Sequence, residues 1–63
     1  MRKRILVTGA CGGIGTSIVK ELSINGFNVI ATDHPNAEIN DNIKKHAKLY
    51  VPIDFLELYE NQA

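Results

Sequence analysis

A glycine-rich segment between an apolar run and an amphipathic stretch constrains the fold of this chain more than any other feature of its sequence. The apolar run covers residues 3–8, and in it Ile5, Leu6 and Val7 are consecutive. Consecutive rather than alternating apolar residues are typical of a strand buried on both faces of a parallel sheet. Four of the residues in 9–15 are glycine. Strand, glycine loop and helix in this order predict the start of an α/β fold.

A helix follows the loop, because apolar residues recur there at helical spacing. These residues are Ile14, Ile18, Val19 and Leu22. Asn25 and Gly26 form a suitable C-terminal pair, so we expect a helix of about 12 residues that ends there. Residues 27–32 then predict a second strand that ends at Asp33.

The remainder of the chain continues the alternation of strands and helices. Pro35 keeps His34 out of helical angles and predicts a turn, and the weak polar pattern of 37–46 predicts a short, exposed helix. Residues 48–53 predict a third strand. Pro52 lacks a backbone donor, so this strand should lie at a sheet edge or Pro52 at its end. A further helix is expected to start with Phe55, Leu56, Leu58 and Tyr59.

The resulting order, β-α-β-α-β and the start of another helix, predicts right-handed parallel crossovers. It is the first half of a doubly wound sheet, in which the first strand lies centrally. Without a second half this strand would expose a long apolar edge, which native proteins avoid. We therefore expect residues 1–63 to be the N-terminal portion of one domain of a longer protein.

Composition excludes several classes of protein. Seven Lys and Arg residues balance seven Asp and Glu residues, and 44% of the chain is hydrophobic. This composition argues against a disordered tail and against a basic nucleic-acid binder. A single cysteine cannot form an internal disulfide or a cysteine-rich zinc site. No apolar run approaches the roughly 18 residues of a membrane span. The apolar run after the basic residues 2–4 is too short for a signal peptide. We therefore expect a cytoplasmic protein.

The glycine loop itself predicts phosphate binding, because a strand that enters a helix through glycines presents free N–H groups at a positive helix end. Gly9 permits the tight turn, Gly12 or Gly13 lets a pyrophosphate approach the backbone, and Gly15 lets the helix pack closely. The spacing G-x-x-G-x-x-G is one residue longer than the usual dinucleotide pattern. Cys11 and Ile14 lie within this loop and are candidate cofactor contacts.

An acidic residue stands at the end of the second strand, where dinucleotide-binding domains hold the ribose. Asp33 lies 18 residues after Gly15, close to the expected spacing. Its carboxylate can accept hydrogen bonds from the ribose hydroxyls and would repel a 2′-phosphate, which favours NAD over NADP. The alternative role for Asp33 is that of a turn or cap residue. His34 is a candidate contact for the ribose or a phosphate, and the alternative is a solvated loop residue.

At these residues the chain resembles the short-chain dehydrogenase/reductase superfamily, whose glycine loop opens with a Thr-Gly pair. The run TGACGGIG at positions 8–15 fits two variants of that loop. Gly9, Gly12 and Gly15 match the extended group of NAD-dependent epimerases and dehydratases, which we favour, although Gly13 stands where members of that group usually carry an aromatic residue. Gly9, Gly13 and Gly15 match the classical group. The resemblance implies a Rossmann-type fold and a nicotinamide dinucleotide cofactor.

The same resemblance implies further site residues near the third strand. An Asp at the end of that strand binds the adenine amino group in the family, and Asp54 stands in this place, with Glu57 matching an acid common three residues later. Phe55, next to it, is a further candidate for cofactor contact. The alternative role for Asp54 is that of an N-cap of the following helix.

The catalytic Tyr-x-x-x-Lys pair of the family is not found in this sequence. Tyr50 is followed four residues later by Asp54, and Tyr59 by Ala63, so we predict packing roles for both tyrosines and assign no catalytic residue. The resemblance implies that a C-terminal part outside this sequence binds the small-molecule substrate, and that the parent protein forms a homodimer.

Other functions have less support. Cys11 is either a thiol activated by the helix end or a small interior residue. His46 has no second ligand at metal spacing, and Lys44, Lys45 and Lys48 predict a solvated face. Two alternatives to an NAD-dependent oxidoreductase or sugar-nucleotide epimerase remain: a non-catalytic or truncated nucleotide-binding module, and an S-adenosylmethionine-dependent methyltransferase, against which Thr8-Gly9 argues.

Overall fold

Three strands and two helices alternate along residues 3–55, the part of the chain that the computed structural model describes. They are β1 (Arg4–Thr8), α1 (Gly13–Ile24), β2 (Asn28–Asp33), α2 (Asp41–His46) and β3 (Leu49–Pro52). This order is the predicted one. The helix predicted from Phe55 onward lies, beyond Phe55 itself, outside the described residues, as do Glu57 and Tyr59.

The strands form one parallel sheet in the order β1-β2-β3. In the register of β1 and β2, Val7 pairs with Ala31, and in that of β2 and β3, Ala31 pairs with Tyr50. Each crossover between parallel neighbours carries a helix, as parallel strands require. The fold is therefore the small α/β unit that begins a Rossmann-type sheet, as the sequence predicted.

The core lies on one face of this sheet. Val7, Val29 and Ala31 contribute from the strands, and Val19 of α1 and Ile43 of α2 close over them. Val19, Val29 and Ala31 have no exposed surface, and Ile43 is 1% exposed. Both helices thus pack against the same side of the sheet.

The opposite face contradicts the prediction of strands buried on both sides. Leu6, Ile30 and Leu49 are paired neighbours across the three strands and form an apolar stripe on this face. Leu6 is 59% exposed and Leu49 is 53% exposed. The physical reason is that α1 and α2 both cover the other face, so no described element packs on this stripe.

Helix α1 has the predicted length and end, but its apolar side is narrower than the spacing suggested. Val19 is buried and Leu22 packs against the core, whereas Ile14 is 81% exposed and Ile18 is 43% exposed. Ile14 and Ile18 lie one turn apart along a flank of the helix that no described element covers. The C-terminus follows the prediction, with Asn25 as C-cap and Gly26 at a φ of +91°.

Helix α2 is shorter than predicted and is not simply exposed. It begins at Asp41 because the Asn40 side chain caps it, Oδ1 accepting from the Ile43 N–H at 3.0 Å. Ile43 is buried. The four residues before Asn40 remain in turn and loop, where the Ala37 N–H donates to the His34 carbonyl at 2.9 Å. The turn predicted at Pro35 is therefore confirmed.

Pro52 meets both conditions predicted for it. It is the last residue of β3, and β3 is an edge strand of the described sheet. Neither helix within residues 3–55 is long and apolar enough to cross a membrane.

One buried polar group leads to a prediction about stability. The Thr32 hydroxyl is fully buried and has no hydrogen-bond partner among the described residues. A buried, unpaired hydroxyl costs about 1–3 kcal/mol, and valine has nearly the same shape. We expect Thr32→Val to raise the free energy of unfolding of the full chain by about 1 kcal/mol, measured by urea denaturation. A loss of stability would show that the hydroxyl has a partner after all.

Candidate functional site

The loop between β1 and α1 is a tight turn that begins on glycine. Gly9 adopts a φ of +64°, in the left-handed region that favours glycine. Its carbonyl accepts a hydrogen bond from the Gly12 N–H at 3.2 Å, which closes the turn. The predicted role of Gly9 is therefore confirmed by the backbone.

Gly15 is required by the close approach of α1 to this turn. A Cβ at position 15 would overlap the Gly9 carbonyl oxygen and stand 2.9 Å from the Ala10 Cα. The close packing predicted for Gly15 is thus made against the backbone at the end of β1. Any side chain here would push the helix away from the loop.

The first turn of α1 presents unpaired backbone donors. Gly12 is the N-cap and contributes no side-chain hydrogen bond. The Thr16 N–H donates to the Gly12 carbonyl at 2.8 Å. Within residues 3–55, the N–H groups of Gly13, Ile14 and Gly15 make no hydrogen bond. Such a helix start offers both donors and a positive dipole end to an anion.

Asp33 connects the end of β2 to the glycine loop. Its Oδ2 accepts from the Cys11 N–H at 2.8 Å, and its Oδ1 accepts from the His34 N–H at 2.7 Å. The hydrogen bonds from His34 and Cys11 hold the pKa of this carboxyl below its usual value. The turn role that was the alternative for Asp33 is therefore present, but the carboxylate also reaches across the chain to the loop. A carboxylate has about four lone-pair sites, so acceptor capacity remains on both oxygens.

His34 pairs with Asp54 across the ends of β2 and β3. Its Nε2 lies 3.2 Å from Asp54 Oδ2, and the Asn36 N–H donates to its Nδ1 at 3.1 Å. Because Nδ1 accepts a hydrogen bond, the neutral ring carries its hydrogen on Nε2. The Nε2–H group then donates a hydrogen bond to Asp54 Oδ2. The two predicted residues are therefore neighbours, and the ring links Asp54 to the turn that follows Asp33.

Cys11 is half-buried and contacts a tyrosine beneath the loop. Its Sγ lies 3.4 Å from the Tyr50 hydroxyl. This hydrogen bond and burial raise the pKa of Tyr50 to about 12, so the phenol is neutral at physiological pH. Tyr50 also packs against the core, which agrees with the packing role predicted for it.

A cleft of about 460 Å³ opens between the loop and the segment that leads into α2. Cys11, Gly12 and Asp33 line one side, and all three were predicted site residues. The other four lining residues, which we call the cleft wall, belong to the segment before α2: Ala37, Glu38, Ile39 and Asn40. The other predicted site residues are not among the lining residues: Gly9, Gly13, Ile14, Gly15, His34, Asp54 and Phe55. Of these, Ile14 and Phe55 are exposed apolar side chains.

The cleft wall was not predicted, since its pattern suggested the first turns of a helix. A signal was present in the pair Asn40-Asp41, an N-cap residue followed by an acid in the first turn. Placing the helix start there would have left residues 37–40 in a loop beside Asp33. The Asn40 side chain also contacts α1, with Nδ2 donating to Thr16 Oγ1 at 2.9 Å.

Residues 3–59 match the model of the family of short chain dehydrogenases. The match covers nearly the whole chain, and the chain belongs to this family. Comparison with curated proteins gives no significant match. Since members of the family bind NAD or NADP, the chain is a nicotinamide dinucleotide-binding module of oxidoreductase type.

The geometry of the glycine loop predicts that alanine substitutions at positions 13 and 15 have different effects on stability. Gly15→Ala should lower the free energy of unfolding by about 3 kcal/mol, because its Cβ would overlap the Gly9 carbonyl. Gly13→Ala is the matched control, since a Cβ there meets nothing within 4 Å. Alanine at position 13 should leave stability unchanged or raise it by about 0.5 kcal/mol. Urea denaturation of both variants tests the pair, and equal effects would contradict the packing role of Gly15.

The hydrogen bonds of Asp33 predict an acid-dependent contribution to stability. Because its pKa is lower in the folded chain than the usual 3.8, the contribution is complete above about pH 4 and is lost as pH falls through the folded value. Asp33→Asn should cost about 1–2 kcal/mol at pH 7, and the difference should shrink toward about pH 3. Urea denaturation at both pH values is the measurement. Asp41→Asn, on the exposed first turn of α2, should cost less than about 1 kcal/mol.

Proposed function

We propose that this short chain dehydrogenase binds NAD at the carboxyl ends of β1 and β2, and that the whole protein transfers hydride to and from the nicotinamide. The observation that carries the proposal is the Asp33 carboxylate, which is bonded to the glycine loop at 2.8 Å. The bond supports the proposal because it holds Asp33, the proposed ribose acceptor, beside the glycine loop that leads into α1. Ligands of parallel α/β sheets bind at this edge.

The start of α1 supports a pyrophosphate site. The unbonded N–H groups of Gly13, Ile14 and Gly15 can donate to phosphate oxygens, and the helix dipole favours their negative charge. Gly12 and Gly13 carry no side chain that would keep a phosphate away from the backbone. The donor set and the bare backbone fit the group that this family binds.

Asp33 supports NAD rather than NADP. Its two oxygens already hold the loop and the following turn, and their remaining lone pairs can accept from the ribose 2′- and 3′-hydroxyls. A 2′-phosphate would bring a second negative group against the carboxylate. Asp33 is charged at neutral pH, as any carboxyl with a pKa at or below 3.8 is, and this charge is what opposes the 2′-phosphate.

The remaining predicted residues fit the adenine side of the cofactor. Asp54 is held by the His34 ring at 3.2 Å, and its carboxylate is suited to accept from the adenine amino group. Phe55 follows directly and is 48% exposed, so its ring is available to an apolar base. His34 contributes through Asp54, and Cys11 through its place in the lining of the cleft.

The reaction proposed for the whole protein is the chemistry that both groups of the superfamily share. The bound cofactor supplies hydride exchange at its nicotinamide carbon. The residues of this chain hold the phosphates, orient the ribose and select the cofactor. Gly12 fits the extended epimerase and dehydratase group, and Gly13 fits the classical dehydrogenase group, and the proposal does not depend on this difference.

Calorimetric titration of the full chain with NAD tests the proposal. We expect binding of NAD, weaker binding of NADP, and a loss of about tenfold or more in NAD affinity in Asp33→Asn, since a hydrogen bond to a charged group contributes about 1.5–3 kcal/mol. Asp41→Asn changes the same functional group outside the cleft lining and should leave NAD affinity within about twofold.

Absence of NAD binding to the wild-type chain would contradict the proposal, as would equal affinities of wild type and Asp33→Asn. Far-ultraviolet circular dichroism of each sample establishes that the helices and strands are present. With that control, a loss of binding reports on the cleft rather than on unfolding.

A further inference from the structure

The cleft wall places a second carboxylate on the cleft that Asp33 lines. Of the seven lining residues, Asp33 and Glu38 are the two that carry a full charge at neutral pH, and both are negative. Lysine, arginine and histidine do not occur in this lining, all of which lies within residues 3–55. The electrostatic character of the cleft is therefore set by two acids, Asp33 at the end of β2 and Glu38 in the cleft wall.

The wall is held to the rest of the fold by Asn40. Its Nδ2 donates to Thr16 Oγ1 at 2.9 Å, and Thr16 Oγ1 in turn donates to the Ala10 carbonyl at 2.8 Å. Its Oδ1 accepts from the N–H of Ile43, a residue that is 1% exposed. The wall is thus fixed to the glycine loop on one side and to the core on the other.

We infer that Glu38 is a second determinant of nucleotide choice, whose carboxylate disfavours a phosphate on the ribose 2′-oxygen, and that Asn40 is the residue that positions it. The inference rests on the proposed function, since it concerns the ribose end of the same site. Asp33 acts by accepting ribose hydroxyls and by its charge. Glu38 acts by its charge, from its place in the cleft wall.

The size of the effect follows from charge and exposure. A phosphomonoester carries about −1.5 to −2 charges at pH 7, so each nearby carboxylate opposes it. Glu38 is exposed, and water and salt screen its field. We therefore expect a change of about three- to tenfold in NADP affinity when the charge is removed. NAD carries no phosphate at that oxygen and should be nearly unaffected.

The experiment is calorimetric titration of the full chain and of Glu38→Gln with NAD and with NADP. The substitution should raise NADP affinity about three- to tenfold and leave NAD affinity within about twofold, and the NADP gain should shrink between about 50 mM and about 500 mM NaCl. Glu38→Lys should raise NADP affinity further. Glu21→Gln is the matched control: it removes the same charge near the end of α1, where the side chain contacts Asn25, and it should change neither affinity.

The role of Asn40 has its own test. Asn40→Ser keeps a side-chain oxygen that can cap α2 but removes the amide donor to Thr16. If Asn40 positions Glu38, Asn40→Ser should discriminate less against NADP than the wild-type chain does. In the Glu38→Gln background, the same substitution should leave the ratio of NAD to NADP affinity unchanged. An equal loss of NAD and NADP affinity in Asn40→Ser would overturn the positioning role.

Failure of the inference and failure of the proposed function give different results. If the folded wild-type chain binds neither nucleotide, the proposed function fails and the inference with it. If it binds NAD but Glu38→Gln changes NADP affinity no more than Glu21→Gln does, the inference alone is overturned. A gain in NADP affinity that persists at high salt would also overturn it, because an effect of charge must be screened.

Discussion

The bond between the Asp33 carboxylate and the Cys11 N–H is the interaction on which the rest of this structure depends. It joins the end of β2 to the loop between β1 and α1 at 2.8 Å, next to the backbone bond from the Ala10 N–H to the Thr32 carbonyl at 3.1 Å. The second carboxylate oxygen holds the turn that starts at His34. One side chain therefore sets the distance between the helix start, the end of β2 and the wall of the cleft. Because a charged acceptor makes stronger hydrogen bonds than a neutral one, this arrangement favours an acid at the position.

A second constraint acts at the other side of the loop, where backbone meets backbone. Gly9 turns the chain at a positive φ, and Gly15 brings the first turn of α1 onto the Gly9 carbonyl. With no side chain between them, the helix start lies directly beside the strand end. The unbonded N–H groups of the first turn are thereby presented at the same edge as Asp33. Gly9 and Gly15 are thus needed to position the start of α1 beside the end of β1, which explains why their spacing in the sequence predicts a site at this loop.

The sequence predicted the elements that local chemistry determines and missed those that depend on distant neighbours. Nearby residues determine three features that the structure confirms. They are the strand before Gly9, the end of α1 at Asn25 and the place of Pro52 at the end of β3. Leu6 was predicted to be buried in its strand, and Ile14 to share the apolar side of α1, yet each is more than half exposed, since burial depends on which elements pack nearby. Asn40 shows the same limit for the site. Its capping of α2 is a local property that the sequence can predict. Its bond to Thr16 joins residues 24 positions apart, and the spacing of apolar residues along the chain does not predict such a contact.

The cleft separates charge in a way that matches a dinucleotide. Gly12, the N-cap of α1, lines the cleft, and the helix turn that follows it offers backbone donors and the positive end of a dipole, which suits the two phosphates of a pyrophosphate. In the same lining, Asp33 and Glu38 present negative charge, which suits the uncharged hydroxyls of a ribose. A dinucleotide with a negative pyrophosphate and an uncharged ribose complements both regions. A third phosphate on that ribose would meet the negative charge of Asp33 and Glu38 instead. Asn40 connects the negative wall to α1, the helix that supplies the positive end, through its bond to Thr16. We therefore expect selectivity in the proposed NAD site to depend on the distance between the charges as well as on their signs.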